Sequence, residues 1–249
     1  MTNSRNSYRI FGQVFNEEAL RLFCREKINI SRTPVWERYI WTFVLEWLSF
    51  DEAIEVNTSG STGKPRPIVL QKKFMIESAK ATLSFFGLKP GDSALLCLPA
   101  KYIAGKMMIV RALVAGLDLQ YTEPTSKPCL AKFDKIGFAA MTPMQVVNLL
   151  KDENGIQNIN KIEKLIVGGS GMPLKLEEKL QYSKPEIWQT FGMTETITHI
   201  ALRKINGDNR SVWYQNLKGV NINMDERKCL IIDYLKIGVE NLHTNDVLK

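Results

Sequence analysis

The chain has 249 residues, of which 45% are apolar, enough to bury one large core or two small ones, so disorder is excluded. Lys and Arg total 33 against 26 Asp and Glu, and the resulting +7 turns the chain toward anionic partners. The positive residues are scattered, with no cluster longer than Gln71-Lys72-Lys73 or Lys64-Pro65-Arg66, which argues against a nucleic-acid partner.

Residues 1–7 hold no apolar stretch and do not read as a secretory leader. Residues 17–27 and 34–48 read as two helices, so residues 1–50 are expected to be a helical segment. The second helix carries Trp36, Tyr39, Trp41, Phe43 and Trp47 on both of its sides, a distribution that suits core packing better than a ligand box. Short apolar runs then alternate with amphipathic ones. Strands are expected at 53–56, 68–70, 94–98, 117–121, 136–141, 165–167 and 186–190, with helices at 72–86, 103–114, 143–151 and 173–182. Gly87, followed by Lys89-Pro90-Gly91-Asp92, ends the first of these helices. The apolar run 107–117 is interrupted by Arg111 and is shorter than the roughly 18 apolar residues of a spanning helix, so no membrane insertion is expected. Strand followed by helix recurs, which predicts an α/β fold with a mainly parallel sheet flanked by helices over residues 51–196. From 197 to 249 the segments shorten to 198–204, 212–217 and 229–234, the pattern of a small antiparallel β appendix. Cys24, Cys97, Cys129 and Cys229 form no CxxC, and His199 and His243 are the only histidines. Neither a disulfide framework nor a structural zinc site is indicated, and a reducing cytoplasm is the expected compartment.

The strongest local signal is Thr58-Ser59-Gly60-Ser61-Thr62-Gly63-Lys64-Pro65, directly after the strand at 53–56. Its glycines let backbone amides approach closely, its hydroxyls donate and its lysine supplies charge, so it can wrap a polyphosphate. A flexible Ser/Gly hairpin connection fits the same composition. It is not a Walker A loop, because the glycines are three apart and the segment runs through Pro65 and Pro67 into a strand.

The string resembles the phosphate loop of the adenylate-forming superfamily, the AMP-binding acyl- and aryl-CoA synthetases, which reads T-S-G-S/T-T-G-x-P-K. Further matches follow in order: Gly168-Gly169-Ser170-Gly171-Met172-Pro173 is similar to the family's G-G-A-x-x-P, Phe191-Gly192-Met193-Thr194-Glu195 to its Y-G-x-T-E, and Thr244-Asn245-Asp246 to its T-G-D. The resemblance implies ATP-dependent activation of a carboxylic acid as an acyl-AMP, followed by thioester formation with coenzyme A. It implies that Thr58, Ser59, Gly60, Ser61, Thr62, Gly63 and Lys64 hold the β- and γ-phosphates. Gly169, Ser170, Phe191 and Gly192 would contact the nucleotide, Thr194 the α-phosphate, Glu195 a Mg²⁺ ion and Asp246 the ribose hydroxyls; Thr194, Glu195 and Lys64 would be the catalytic groups.

Residues 99–106 (Pro-Ala-Lys-Tyr-Ile-Ala-Gly-Lys) with Arg111, and 142–150, are similar to the P-L-x-H-I-S/A-G and V-P-T-Q-x-x-x-L-L stretches of the o-succinylbenzoate:CoA ligases of menaquinone biosynthesis. That likeness makes Tyr102, Gly105, Lys106, Arg111, Gly192 and Met193 candidates for binding the acid. The diacid keeps one carboxylate unactivated, and Arg111, a charge inside an apolar run, is the nominee to receive it. Lys106 is a second candidate, although a lysine on a helix also reaches water readily. His199 either edges this pocket or is an ordinary strand residue. Tyr102 stands where the group has histidine, and Asn245 where it has glycine. The resemblance further implies a C-terminal lid domain; with Lys249 three residues after Asp246, that lid is expected to be absent and the chain alone to lack full activity. A ligase for another aryl or acyl acid and a non-catalytic adenylate-binding module are the alternatives.

Overall fold

The computed structural model describes residues 7–57 and 67–247. The elements are, in order, β1 (Tyr8–Ile10), β2 (Gln13–Phe15), α1 (Glu17–Asn29), α2 (Val35–Leu48), β3 (Ala53–Asn57), β4 (Pro67–Gln71), α3 (Lys72–Phe86) and β5 (Ser93–Leu96). There follow α4 (Ile103–Ala115), β6 (Asp118–Tyr121), β7 (Ile136–Met141), α5 (Pro143–Leu149), α6 (Gly155–Ile159), β8 (Ile162–Val167), α7 (Leu174–Leu180) and β9 (Glu186–Gly192). The chain continues through β10 (His199–Lys204), β11 (Gln215–Asn216), β12 (Asn221–Met224), β13 (Cys229–Tyr234) and β14 (Val239–Val247).

One nine-stranded sheet carries most of the chain, in the order β11-β10-β9-β8-β7-β5-β6-β1-β2. From β9 through β1 neighbouring strands are parallel, whereas β2, β10 and β11 are antiparallel at the edges. Every residue of β7 is buried, as a central strand covered on both faces requires. From Phe138 onward its side chains alternate between two cores: Phe138 and Ala140 pack with α1–α4, while Ala139 and Met141 pack with α5–α7. Local signals set the helix ends. Thr142 caps α5 through a reciprocal pair with Gln145, and α4 stops at Gly116 in the left-handed conformation, φ +63°. Among the described residues, no helix is long and apolar enough to cross a membrane.

The α/β expectation therefore holds, with three differences. The segment 1–50 contributes α1 and α2 but also the β1–β2 hairpin, in which Tyr8, Ile10 and Phe15 are buried at the sheet edge. Strands of three residues are too short for hydrophobic alternation to register. Next, β3 and β4 are not members of the parallel sheet but form their own antiparallel pair, Ala53 opposite Gln71. The nine intervening residues, 58–66, are too few for a parallel crossover, which takes a dozen or more. Finally, residue 196 is not a sheet boundary, since β10 and β11 extend the large sheet and only β12, β13 and β14 form the small one. The expected helices at 143–151 and 173–182 are shorter, ending at Leu149 and Leu180.

Candidate active site

Strand order decides where a site can form. The chain runs from β5 through α4 to β6, then returns past β5 to β7, β8 and β9. The direction of winding thus reverses between β5 and β7, and in open parallel sheets ligands bind in the crevice at the carboxyl ends of the strands beside such a reversal. Thr142, Gly168–Ser170 and the segment 191–195 follow the carboxyl ends of β7, β8 and β9, and Tyr102 and Gly105 lie where α4 begins after β5. The sheet therefore brings these sequence candidates to one rim.

Each rim loop is tightly fitted. A Cβ on Gly168 would run into Thr190 Oγ1, and Gly169 has φ +88°. A Cβ on Gly105 would collide with the Pro99 carbonyl, so that glycine serves the seating of the 99–100 backbone on the first turn of α4. Gly192 lies where a Cβ would strike Thr198 O, because the loop 193–198 folds back on the strand end. The buried Thr196 hydroxyl closes that loop: it accepts from Met193 N at 3.0 Å and lies 3.1 Å from Met193 O and 2.8 Å from Thr198 O. Ile197, buried, is held at φ +67°, a conformation rare for a β-branched residue and often found at functional loops. Thr198 Oγ1 is 2.9 Å from Ser78 Oγ of α3, which fastens the loop from below. The loop leaves Glu195 exposed and Thr194 half-buried at its crest.

Beneath the loop lies a buried polar cluster. Arg111, on α4, is 2% exposed; among the described residues its Nε has no hydrogen-bond partner, and Nη1 reaches only Met108 Sδ at 3.6 Å. Burial pulls the pKa of its guanidinium down to about 10. His199, opposite Gly192 in the β9–β10 pairing, is also buried, and its Nε2 is 3.2 Å from Thr82 Oγ1. Burial first, and the Arg111 charge second, hold the imidazole well below its usual 6.5. Lys106 is differently placed. Its ammonium is 3.3 Å from Glu46 Oε2 and 4.2 Å from the Phe43 ring centre, between α2 and α4, with desolvation lowering its pKa against the pull of Glu46. Arg111 is thus the buried cation without an acidic partner among the described residues.

Asp246 stands on β14 of the small sheet, its amide donating to Thr244 Oγ1 at 3.1 Å. Thr58 to Lys64 lie outside the described residues; the hairpin that flanks them ends with Asn57 opposite Pro67. A cleft of about 540 Å³ opens elsewhere, between α7 and residues 203–213. Its Arg203 and Ile205 border the start of β9, the opposite rim from the loops above. Ser78, Thr82 and Thr196 were not read from the sequence. Ser78 and Thr82, four apart and hence on one face of a largely apolar helix, carried a signal that could have found them.

The rim architecture is that of an open α/β fold whose loops gather at the carboxyl ends of a mainly parallel sheet. A family model, AMP-binding enzyme, matches residues 51–220, and the chain belongs to that family. Among curated relatives, the 2-succinylbenzoate–CoA ligase of Listeria monocytogenes is 29% identical over 171 residues, 65% of this chain and 36% of the relative. That of Salmonella typhimurium is 26% identical over 150 residues, 60% of this chain and 32% of the relative. The chain spans about a third of the length of these relatives. Among solved structures, an acyl-CoA synthetase (AMP-forming)/AMP-acid ligase II-like protein from Dyadobacter fermentans is 33% identical, with a TM-score of 0.82 over 92% of this chain and 65% of that one. The o-succinylbenzoate coenzyme A synthetase of Bacillus subtilis, solved with ATP and magnesium ion, has a TM-score of 0.60 over 77% of this chain and 42% of its own; at 18% identity it speaks for the fold alone.

Proposed function

We propose that the chain is the nucleotide- and acid-binding part of an AMP-forming acid:CoA ligase that activates o-succinylbenzoate for menaquinone synthesis. The observation that carries the choice of acid is Arg111: among the described residues its buried guanidinium has no counter-ion, which is costly, and an anionic group of the substrate supplies one. The named relatives of Listeria and Salmonella support the same reading.

A free carboxylate is a poor electrophile. Its oxygen attacks the α-phosphorus of ATP, the bond to the β-phosphate breaks and pyrophosphate leaves. The thiol of coenzyme A then attacks the acyl carbon, loses its proton and displaces AMP. In this reading Thr58, Ser59, Gly60, Ser61, Thr62, Gly63 and Lys64 hold the β- and γ-phosphates, and Thr194 donates to the α-phosphate. Gly169, Ser170, Phe191 and Gly192 border the adenosine, and Asp246 accepts from its ribose. Tyr102, Gly105, Gly192 and Met193 line the acid, whose second carboxylate meets Arg111. Glu195 suits Mg²⁺, which takes one or two carboxylates plus phosphate oxygens; among the described residues no cluster of three His, Cys, Asp or Glu offers a protein cage instead. That ion supplies charge neutralisation on the phosphates. A lid domain of the same enzyme completes the thiol-transfer site, and the compartment is the cytoplasm.

Calorimetry tests the choice of acid. A non-hydrolysable acyl-AMP mimic of o-succinylbenzoate is expected to bind about thirtyfold or more tighter than the benzoate mimic, the worth of one buried charge pair. Equal affinities would reject the diacid in favour of another aryl acid.

A further inference from the structure

We propose that His199 is the second arm of the anion subsite headed by Arg111, and that it takes up a proton when a carboxylate enters beside it. The inference rests on the reading of Arg111 as the receptor of the acid's second carboxylate. Arg111 comes from α4, His199 from β10, and Thr82 with Ser78 from α3; their relative exposures are 2%, 6%, 0% and 3%. Thr82 thus joins Ser78 and His199 in the core that lies under the strand ends, and the charge of Arg111 reaches His199 there. The Thr82 hydroxyl lies 3.3 Å from Ser78 O and 3.2 Å from His199 Nε2, so one ring nitrogen is paired within the protein.

The surroundings of His199 make its charge depend on an anion. From α4 it faces the positive Arg111, from α3 the uncharged hydroxyl of Thr82, and across the β9 ladder Gly192. Among the described residues Arg111 is the charge that acts on it, and burial together with that charge keeps the imidazole neutral. A carboxylate entering the cluster neutralises Arg111 and adds an opposite charge, and both changes favour the imidazolium. The bound carboxylate then meets two cations, a guanidinium and an imidazolium. Linkage fixes the sign: the pKa of His199 is higher in the complex than in the free protein, so affinity rises as pH falls through the bound-state value. Between the two values the gain is up to about tenfold per pH unit.

The test uses the whole chain and o-succinylbenzoate itself. Calorimetry in phosphate and in Tris, at several pH values from 6 to 8, counts protons exchanged on binding. Wild type is expected to take up a proton and to bind more tightly at the lower pH. His199→Gln should abolish both the uptake and the pH slope while keeping weakened binding that Arg111→Met removes. Because the chain has two histidines, His199 and His243, imidazole NMR provides a readout that needs no folded variant. One ring should be neutral at pH 6 in the free protein and charged after saturation with the diacid. Binding without proton uptake, or uptake that persists in His199→Gln, overturns the role of His199 and leaves Arg111 as the receptor. Failure of the wild type to bind the diacid overturns the functional reading, and this inference with it.

Discussion

Arg111→Met separates a binding charge from a structural one. The fall of the Arg111 pKa to about 10 in this fully buried group corresponds to a penalty of about 3 kcal/mol, at about 1.4 kcal/mol per tenfold change. The sign follows from the direction: below the folded-state value both the folded and the unfolded chain carry the charge, so the whole penalty falls on the folded state at neutral pH. It fades only as pH rises above about 10, toward the ordinary guanidinium range. Met keeps most of the aliphatic stem and its packing but removes the charge. Allowing about 1 kcal/mol for imperfect repacking leaves a net stabilisation of roughly 1–2 kcal/mol. For a chain of this size that raises Tm by roughly 2–8 °C. Scanning calorimetry without ligand measures it, and calorimetric titration of the diacid should show the variant losing its affinity. A variant several degrees less stable than wild type would refute the argument, because it would mean that Arg111 already has an anionic partner.

Glu195→Gln should abolish the magnesium dependence of ATP binding while shifting Tm by no more than about 2 °C, as its side chain is exposed; an unchanged metal requirement would remove Glu195 from the phosphate site. Thr196→Val deprives Met193 N and Thr198 O of their shared hydroxyl, which should cost about 2 kcal/mol and weaken ATP binding, with Thr196→Ser restoring both. Full recovery of ATP affinity by the Val variant would show that the loop holds its shape without that hydroxyl. Lys106→Met should leave diacid affinity within about twofold, since Glu46 and Phe43 already occupy the ammonium; a tenfold loss would place Lys106 at the acid.

The sequence was legible where one residue type had one use. Gly87 stops α3 because its position needs the left-handed conformation, and the unbroken apolar run of β7 marks a strand covered on both sides. The β3–β4 hairpin was less legible, since a short apolar run looks alike in a parallel and an antiparallel sheet and only the length of the connection separates them. Within the site, Gly168, Gly192 and Glu195 could be found as parts of contiguous motifs. The cluster under them could not be assembled from the sequence, because Thr82, Arg111 and His199 come from three elements brought near one another only when α3 and α4 pack together.

The same stretch of chain that presents Glu195 to the rim ends, four residues later, at the buried His199. Between them the path has little freedom: Gly192 admits the loop against the strand end, Thr196 closes it, Ile197 turns it through a left-handed conformation and Thr198 ties it to Ser78. A carboxylate that draws charge onto His199 therefore acts on the base of the loop whose crest carries Thr194 and Glu195. Coupling between two sites is reciprocal, so if filling the acid subsite tightens the loop, ATP with magnesium should raise the affinity for the diacid by the factor by which the diacid raises the affinity for ATP. Titrating each ligand with and without the other gives both factors, and two values near one would mean that the loop is already fully set in the empty protein.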